Sequence, residues 1–392
     1  MSRDAPSAPA VQLVTGATGF IGASLVLELL ERTPDRIVCL VRPVAGDSDR
    51  ARSAQARLED ALRRARAAAG RRGPESDLLA RCQAVPGDLL AAGFGVAPEA
   101  IGPVREVWHS AASLRFEDPY AEEIWRHNAE GTRTTLELAR RLGATTFNYM
   151  STAYVSGTRE GTIKEELPEA VAEPGEAANN AYERSKIEAE RRVAASGLAF
   201  RILRPSIVIG HSGTARAASD TGFYGYVARL ARLRRVLERR GRLEDLARAE
   251  IEGLADAPLN LIPVDAVARN AVSVSLSGSP ARIFHLTNAT PPSVGAASAV
   301  INRVLGIPGP SFAARPRGAS TYDRVLADQM RFFIAYVGRT KHFDRSNLDA
   351  AIGAEASRWP MDPGALERYV ATYLATLPRP GAKRRKSVVA SA

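Results

Sequence analysis

From Val11 onward the chain alternates short apolar runs with amphipathic stretches. The runs "VQLVT" (11–15), "RIVCLV" (36–41), "CQAVPGDL" (82–89), "REVWHSA" (105–111), "TTFNYMST" (145–152) and "LAFRILRP" (198–205) are rich in β-branched residues and show no polar alternation. They read as strands covered on both faces. Between them, "GASLVLELLERT" (22–33), "EEIWRHNAEGTRTTLELARRLG" (122–143) and "AYERSKIEAERRVAASG" (181–197) carry apolar residues at helical spacing. The last two end in glycine, a common helix stop. Strand, helix, strand in this rhythm predicts an α/β fold built on a parallel sheet.

One connection breaks the rhythm. About forty residues separate the second and third strands where a helix and a few loop residues would suffice, and "SAQARLEDALRRARAAAGRRG" (53–73) predicts an extra amphipathic helix ending near Gly70. After Pro205 the alternation weakens. "PLNLIPVDAVARNAVSVSL" (258–276) and "ARIFHLTN" (281–288) predict a helix and strand returning to the sheet. Residues 10–205 with 263–288 are therefore expected to form one domain, with an insertion at about 43–80. Residues 206–262 with 289–378 are expected to form a smaller substrate-side subdomain, and 379–392 a disordered tail.

Composition excludes several classes. The 392 residues are 45% hydrophobic and 24% charged, as in a soluble globular protein. No stretch approaches the roughly 18 uninterrupted apolar residues of a membrane span. The start, "MSRDAPSAPAVQLV", lacks the basic and apolar regions of a signal peptide, so a cytoplasmic location is expected. Cys39 and Cys82 each fall in a predicted strand, which argues against a disulfide framework, and there is no CxxC. The five histidines have no metal-ligand spacing, and no metal is expected. G-x-S-x-G and G-x-x-x-x-G-K-[ST] are both absent.

A net charge of +10 favours anionic partners, although an Arg- and Ala-rich composition spreads that charge along the chain. The clusters at Arg229–Arg242 and Lys383–Lys386 lack interleaved aromatic residues, so no specific nucleic-acid binding is expected.

The first chemical signal is "GATGFIG". Gly16, Gly19 and Gly22 follow the first strand and open the first helix, with Thr18, Phe20 and Ile21 between them. A glycine turn here lets backbone N–H groups approach a pyrophosphate at a helix N-terminus. The fold class sharpens to a Rossmann-type doubly wound parallel sheet with a smaller C-terminal substrate-binding subdomain. The second strand ends in Arg42 rather than an acidic residue. Arginine pairs with a 2′-phosphate, so NADPH is favoured over NADH. Asp88, followed by Leu89, could accept from the adenine amino group or simply cap its loop. Ser110, Ala111 and Ala112 are small where a cofactor would approach the backbone. Asn128 is a poor mid-helix residue unless its amide has a partner, and a cofactor contact is expected. Tyr182 and Lys186 share one helical face, an arrangement that inert helices also show.

Taken in order, "GATGFIG", "GDL", "HSAA", "STAYVSG", Tyr182-x-x-x-Lys186 and "RPSIVIG" resemble the extended short-chain dehydrogenase/reductases over residues 11 to 277. The resemblance implies that Thr152, five residues before Gly157, is the catalytic hydroxyl, Tyr182 the acid and Lys186 its helper. It also implies that Pro205, Ser206 and Ile207 line the cofactor site. A tyrosine titrates near ~10, and an ammonium one turn away is expected to favour its phenolate. Thr152 and Tyr182 would then be the donor pair aimed at a developing oxyanion.

"MSTAYVSG", "LRPSIVIG", "CLVRP" with a long insertion, and "VWHSAASLRFEDPYAEEIWRHNAEGTRTTLELAR" look like the thioester reductase and fatty acyl-CoA reductase branch. That implies NADPH-dependent reduction of an acyl thioester, on CoA or an acyl carrier protein, to the aldehyde, with a second hydride giving the alcohol. A ketone or aldehyde reductase, or a sugar-nucleotide epimerase or dehydratase, would use the same trio. A nucleotide-sensing protein would have no need of it.

Overall fold

The computed structural model describes residues 10–44, 46–47, 49–71, 79–116, 118–168, 178–219, 221–316 and 336–377. The expected disordered tail lies outside them.

The apolar runs form the strands of a seven-stranded, wholly parallel sheet: β1 (Val11–Thr15), β2 (Arg36–Val41), β3 (Cys82–Pro86), β4 (Glu106–His109), β5 (Thr146–Met150), β6 (Ala199–Pro205) and β7 (Ile283–Leu286). Their order across the sheet is 3-2-1-4-5-6-7, which reverses direction between β1 and β4. Ligands of such sheets bind at the carboxyl ends beside that reversal. The helices Phe20–Arg32, Arg50–Ala68 and Val264–Leu276 cover one face, burying Leu25, Leu29, Leu58 and Val267. Helices Gly131–Arg141 and Ala181–Ala194 cover the other, burying Leu138, Ala189 and Val193. Both faces are apolar because both are covered.

Several predicted strands overrun their observed ends. The run 82–89 stops at Pro86, where Gly87 and Asp88 turn the chain, and 105–111 stops at His109. The first helix starts at Phe20, two residues before expectation, because Gly22 belongs to its first turn. A side chain at Gly22 could not be accommodated: its Cβ would lie 2.1 Å from the Gly16 carbonyl oxygen. The single helix predicted over 122–143 is three segments, Ala121–Trp125, a π-helical turn Arg126–Glu130, and Gly131–Arg141. The insertion helix spans Arg50–Ala68 and ends before Gly70, whose φ of 71° few other residues would adopt.

A separate apolar cluster gathers Phe223, Tyr224 and Leu230 with Val300, Ile301 and Tyr369. Three two-stranded parallel pairs tie the later chain to the earlier: Ile207–Ile209 with Leu261–Pro263, Glu250–Glu252 with Ser311–Ala313, and Gly161–Ile163 with Lys341–Phe343. Leu261–Pro263 begins inside the stretch expected to be wholly helical, and the helix proper starts at Val264. Among the described residues no helix is long and apolar enough to cross a membrane, and no three metal-ligating side chains cluster. Cys39 and Cys82 are free thiols on adjacent strands, their sulfurs 4.0 Å apart.

Candidate active site

With one exception, every residue expected to hold a cofactor or do chemistry lines a single cavity of about 340 Å³ at the carboxyl ends of the strands. Gly16 turns β1 into the first helix at φ 74°, a region L side chains rarely adopt, and a Cβ there would lie 2.5 Å from the Ala111 amide nitrogen. The loop after β4 is thus packed against the glycine turn. Ser110 donates its amide to the Thr15 carbonyl at 3.2 Å. Gly19 caps the helix without a side-chain bond, which leaves the first-turn N–H groups of Phe20, Ile21 and Gly22, all on the cavity lining, without an intrahelical acceptor. Only the Gly16 carbonyl lies within 4 Å of where a Gly19 Cβ would sit. The open side fits a pyrophosphate.

Arg42 lies just beyond β2, exposed and on the cavity wall. Arg57, from the insertion helix, lines the same wall, held below the usual guanidinium range by burial and then by the charge of Arg42. Two like charges facing one space suit a doubly charged anion. Arg57 sits beside Leu58 on the buried edge of an otherwise arginine-rich helix, so its only sequence signal is the helical period itself. Asp88 lines the cavity too, and one of its carboxylate oxygens accepts the Leu90 amide at 3.0 Å, so it does cap its loop. Leu89 sits alongside it, pressed against Gly131.

Asn128 is the exception. It is fully buried in the π-helical turn, away from the cavity lining. Its amide oxygen accepts the Ser113 N–H at 2.7 Å, and its nitrogen donates to the Ser113 carbonyl at 3.2 Å and to Ser185 Oγ at 2.9 Å. The amide has partners, as a mid-helix asparagine needs, but they are protein groups. It ties the loop after β4 to the helix that carries Tyr182. Extra-residue turns of this kind recur next to functional sites.

Thr152, Tyr182 and Lys186 all line the cavity, as do Pro205, Ser206 and Ile207. Thr152 follows β5, and its Oγ1 accepts the Tyr154 amide at 3.3 Å, leaving its hydroxyl proton to donate. Tyr182 lies in the first turn of a helix capped by Asn180, whose side chain accepts the Glu183 amide. Its ring meets Phe116 edge-on at 4.8 Å. Burial, and then the charge of Glu183, push the phenol well above its ordinary range. That differs from the expectation that Lys186 would favour the phenolate. In this enclosed setting desolvation dominates, and the hydroxyl stays protonated, as a proton donor must. Lys186 donates to the Met150 carbonyl at 2.9 Å. Burial pushes its ammonium down to about 7, with Glu190 opposing.

His109, behind the trio, is bonded to Thr15 and Thr132 and is held neutral at about 3 by burial and by Lys186. Ser206 donates to Asn260, which in turn donates to the Asn288 carbonyl, so Asn260 braces the floor of the cleft. Asp265 accepts from Ser212 and Arg269 and anchors the returning helix. Past Ser206 the cavity is mainly apolar, walled by Phe223, Phe312 and one side of the helix Val294–Leu305, with Val294, Ala297 and Ile301, while Ser219, Thr221, Tyr226 and Ser298 add hydroxyls to it. No sequence motif marks this arm.

Residues 14–271 match the family described as Male sterility protein, whose domain is NAD-binding. A glycine betaine reductase of Emericella nidulans is 32% identical over 218 residues, covering 52% of this chain and 16% of that protein. A putative fatty acyl-CoA reductase of Drosophila melanogaster is 30% identical over 230 residues, covering 50% and 40% respectively. The chain thus matches less than half the length of these relatives. Among solved structures, the terminal R domain from the myxalamid PKS-NRPS biosynthetic pathway superposes with a TM-score of 0.68 at 25% identity, covering 94% of this chain and 92% of that one.

Proposed function

Because the chain belongs to the Male sterility protein family, in the thioester reductase branch of the extended short-chain dehydrogenase/reductases, we propose that it reduces the carbonyl of an acyl thioester with NADPH. The family is one of NAD(P)-dependent oxidoreductases. The observation that carries the finer reading is the continuity of the cavity: a dinucleotide cradle, a Thr/Tyr/Lys trio and a mainly apolar arm line one cleft.

Residues 10–205 with 263–288 hold the cofactor in this reading, and 206–262 with 289–378 the acyl group. The glycine turn takes the pyrophosphate, Arg42 and Arg57 the 2′-phosphate, and Lys186 the nicotinamide ribose. When bound, NADPH supplies the hydride. Thr152 and Tyr182 donate hydrogen bonds to the thioester oxygen and strengthen them as it becomes an oxyanion. A donor of this kind is worth about 10²–10³ in rate. Tyr182 then gives its proton to that oxygen, forming a hemithioacetal. The hydroxyl proton returns to the Tyr182 oxygen as the C–S bond breaks, and the departing sulfur takes a proton from water, giving an aldehyde and a free thiol. The thiol belongs to CoA or to a carrier protein, and the net charge of +10 suits the phosphates of one and the acidic surface of the other.

The test is NADPH oxidation with a panel of acyl-CoAs and acyl-pantetheines, following free thiol in the same cuvette. One thiol per NADPH marks the aldehyde as product, and one per two NADPH the alcohol. NADPH oxidised by ketones or aldehydes with no thiol released from any thioester contradicts the proposal.

A further inference from the structure

Lys341 is a buried lysine that the chemistry above does not use. It opens the short strand Lys341–Phe343, which pairs in parallel with Gly161–Ile163, and this register carries its ammonium to the loop that follows Thr152. There it donates to Ser156 Oγ at 3.0 Å and to the Gly157 carbonyl. The same carbonyl accepts Asn179 Nδ2 at 3.0 Å. Asn179 in turn gives both its side-chain nitrogen and its amide to Glu183 Oε2, at 2.9 and 2.7 Å, and Arg339 holds the Asn179 side-chain oxygen at 2.7 Å. Glu183 is wholly buried and adjoins Tyr182 in sequence. A continuous polar network therefore runs from the later chain through the Thr152 loop to the helix turn that presents Tyr182.

A buried cation is a poor way to gain stability, since an apolar residue of similar volume would avoid the desolvation. Here the ammonium is pushed down to about 8 by burial, with Glu183 opposing. What a charged group supplies that an apolar one cannot is direction, because its bonds fix two backbone segments relative to each other. The same stretch of chain also reaches the cavity. Tyr336 and Val337 line it, and the Tyr336 ring meets Tyr154 edge-on at 4.5 Å.

We propose that Lys341 is a positioning residue for the reaction, holding the loop after Thr152 and, through Asn179 and Glu183, the turn that carries Tyr182. The proposal rests on the reading of Thr152 and Tyr182 as the oxyanion donors. Displacing catalytic groups by about 1 Å can cost roughly 100-fold in rate without touching remote binding contacts. Lys341→Met, Lys341→Arg and Ser156→Ala should be compared with the parent using NADPH and octanoyl-CoA, with NADPH affinity read from its fluorescence. The expected result for Lys341→Met is a fall in kcat toward about 100-fold, with NADPH affinity nearly unchanged, and recovery of most of kcat in Lys341→Arg. A parent-like kcat overturns the proposal. So does joint loss of kcat and NADPH affinity that arginine does not rescue, which is the signature of a merely structural role. If Lys341→Met does not fold, Ser156→Ala decides: kcat should fall with NADPH affinity held, and an unchanged kcat overturns the proposal. Tyr182→Phe run in parallel separates the two levels, because turnover surviving in that variant contradicts the catalytic reading itself.

Discussion

The two arms of the cavity are built in different ways. The cofactor arm is made by backbone: Gly16 has no room for a side chain, Gly19 leaves its flank open, and the first-turn N–H groups on the cavity lining have no intrahelical acceptor. The arm proposed to take the acyl group is made by side chains, among them Val294, Ala297 and Ile301 on one helix with Phe223 and Phe312. Backbone recognition restricts which residue types can occupy a position, whereas an apolar wall accepts any side chain of about the right volume. One arm should therefore be intolerant of change and the other tunable.

The largest expected effect lies where the arms meet. Tyr182→Phe should lower kcat by about 10³-fold while leaving NADPH affinity nearly unchanged, measured by steady-state kinetics and fluorescence titration. Near-normal turnover would remove Tyr182 from the chemistry. On the cofactor side, Arg42→Ala with Arg57→Ala should weaken NADPH by about 100-fold, at roughly tenfold per charge-assisted bond, with little change for NADH. Equal losses for both cofactors would count against a 2′-phosphate site.

The third effect is pH-dependent. A lysine is charged below its pKa, and Lys186 is pushed down to about 7. The ammonium is therefore present at lower pH and lost as pH rises through that value. With NADPH varied, kcat/KM, which reports the free enzyme, should fall above about pH 7 by up to about tenfold per unit. A flat profile there would contradict a charged Lys186 at the ribose. The smallest effect belongs to the tunable arm: Ala297→Phe should cut kcat/KM for dodecanoyl-CoA by about tenfold relative to butyryl-CoA, as expected from crowding of about 1–3 kcal/mol. NADPH affinity should not move, and an unchanged chain-length preference would place the acyl group elsewhere.

The same contrast explains what could be read from the sequence. The sheet was legible because both of its faces are covered, so its strands, though interrupted by single polar residues such as Gln12, Asn148 and Arg201, are mostly apolar. Their ends were not, since Gly87–Asp88 and Ser110–Ala111 continue the apolar or small-residue pattern into turns. Gly16 and Gly22 stood out because close backbone contact narrows the choice of residue, and Arg42 because a basic residue follows the second strand in place of an acidic one. Asn128 was rightly seen to need partners, but local sequence could not tell a cofactor from Ser113 and Ser185. Arg57, Ala297 and Lys341 looked like ordinary members of a basic helix, an apolar stripe and a polar stretch. The places they take in the structure arise from register and packing between segments far apart in the chain. Glu183, in the middle of "YERSK", had every appearance of a solvated residue and is wholly buried.

The central claim is that hydride reaches a thioester carbonyl in this cavity. It is tested most directly with NADPH deuterated at the transferred position of the nicotinamide and octanoyl-CoA, the quenched reaction being derivatised with 2,4-dinitrophenylhydrazine and the product weighed by mass spectrometry. The account predicts octanal dinitrophenylhydrazone carrying one deuterium, formed by the parent and lost in Tyr182→Phe. Unlabelled aldehyde, or octanoic acid with no aldehyde, would contradict it.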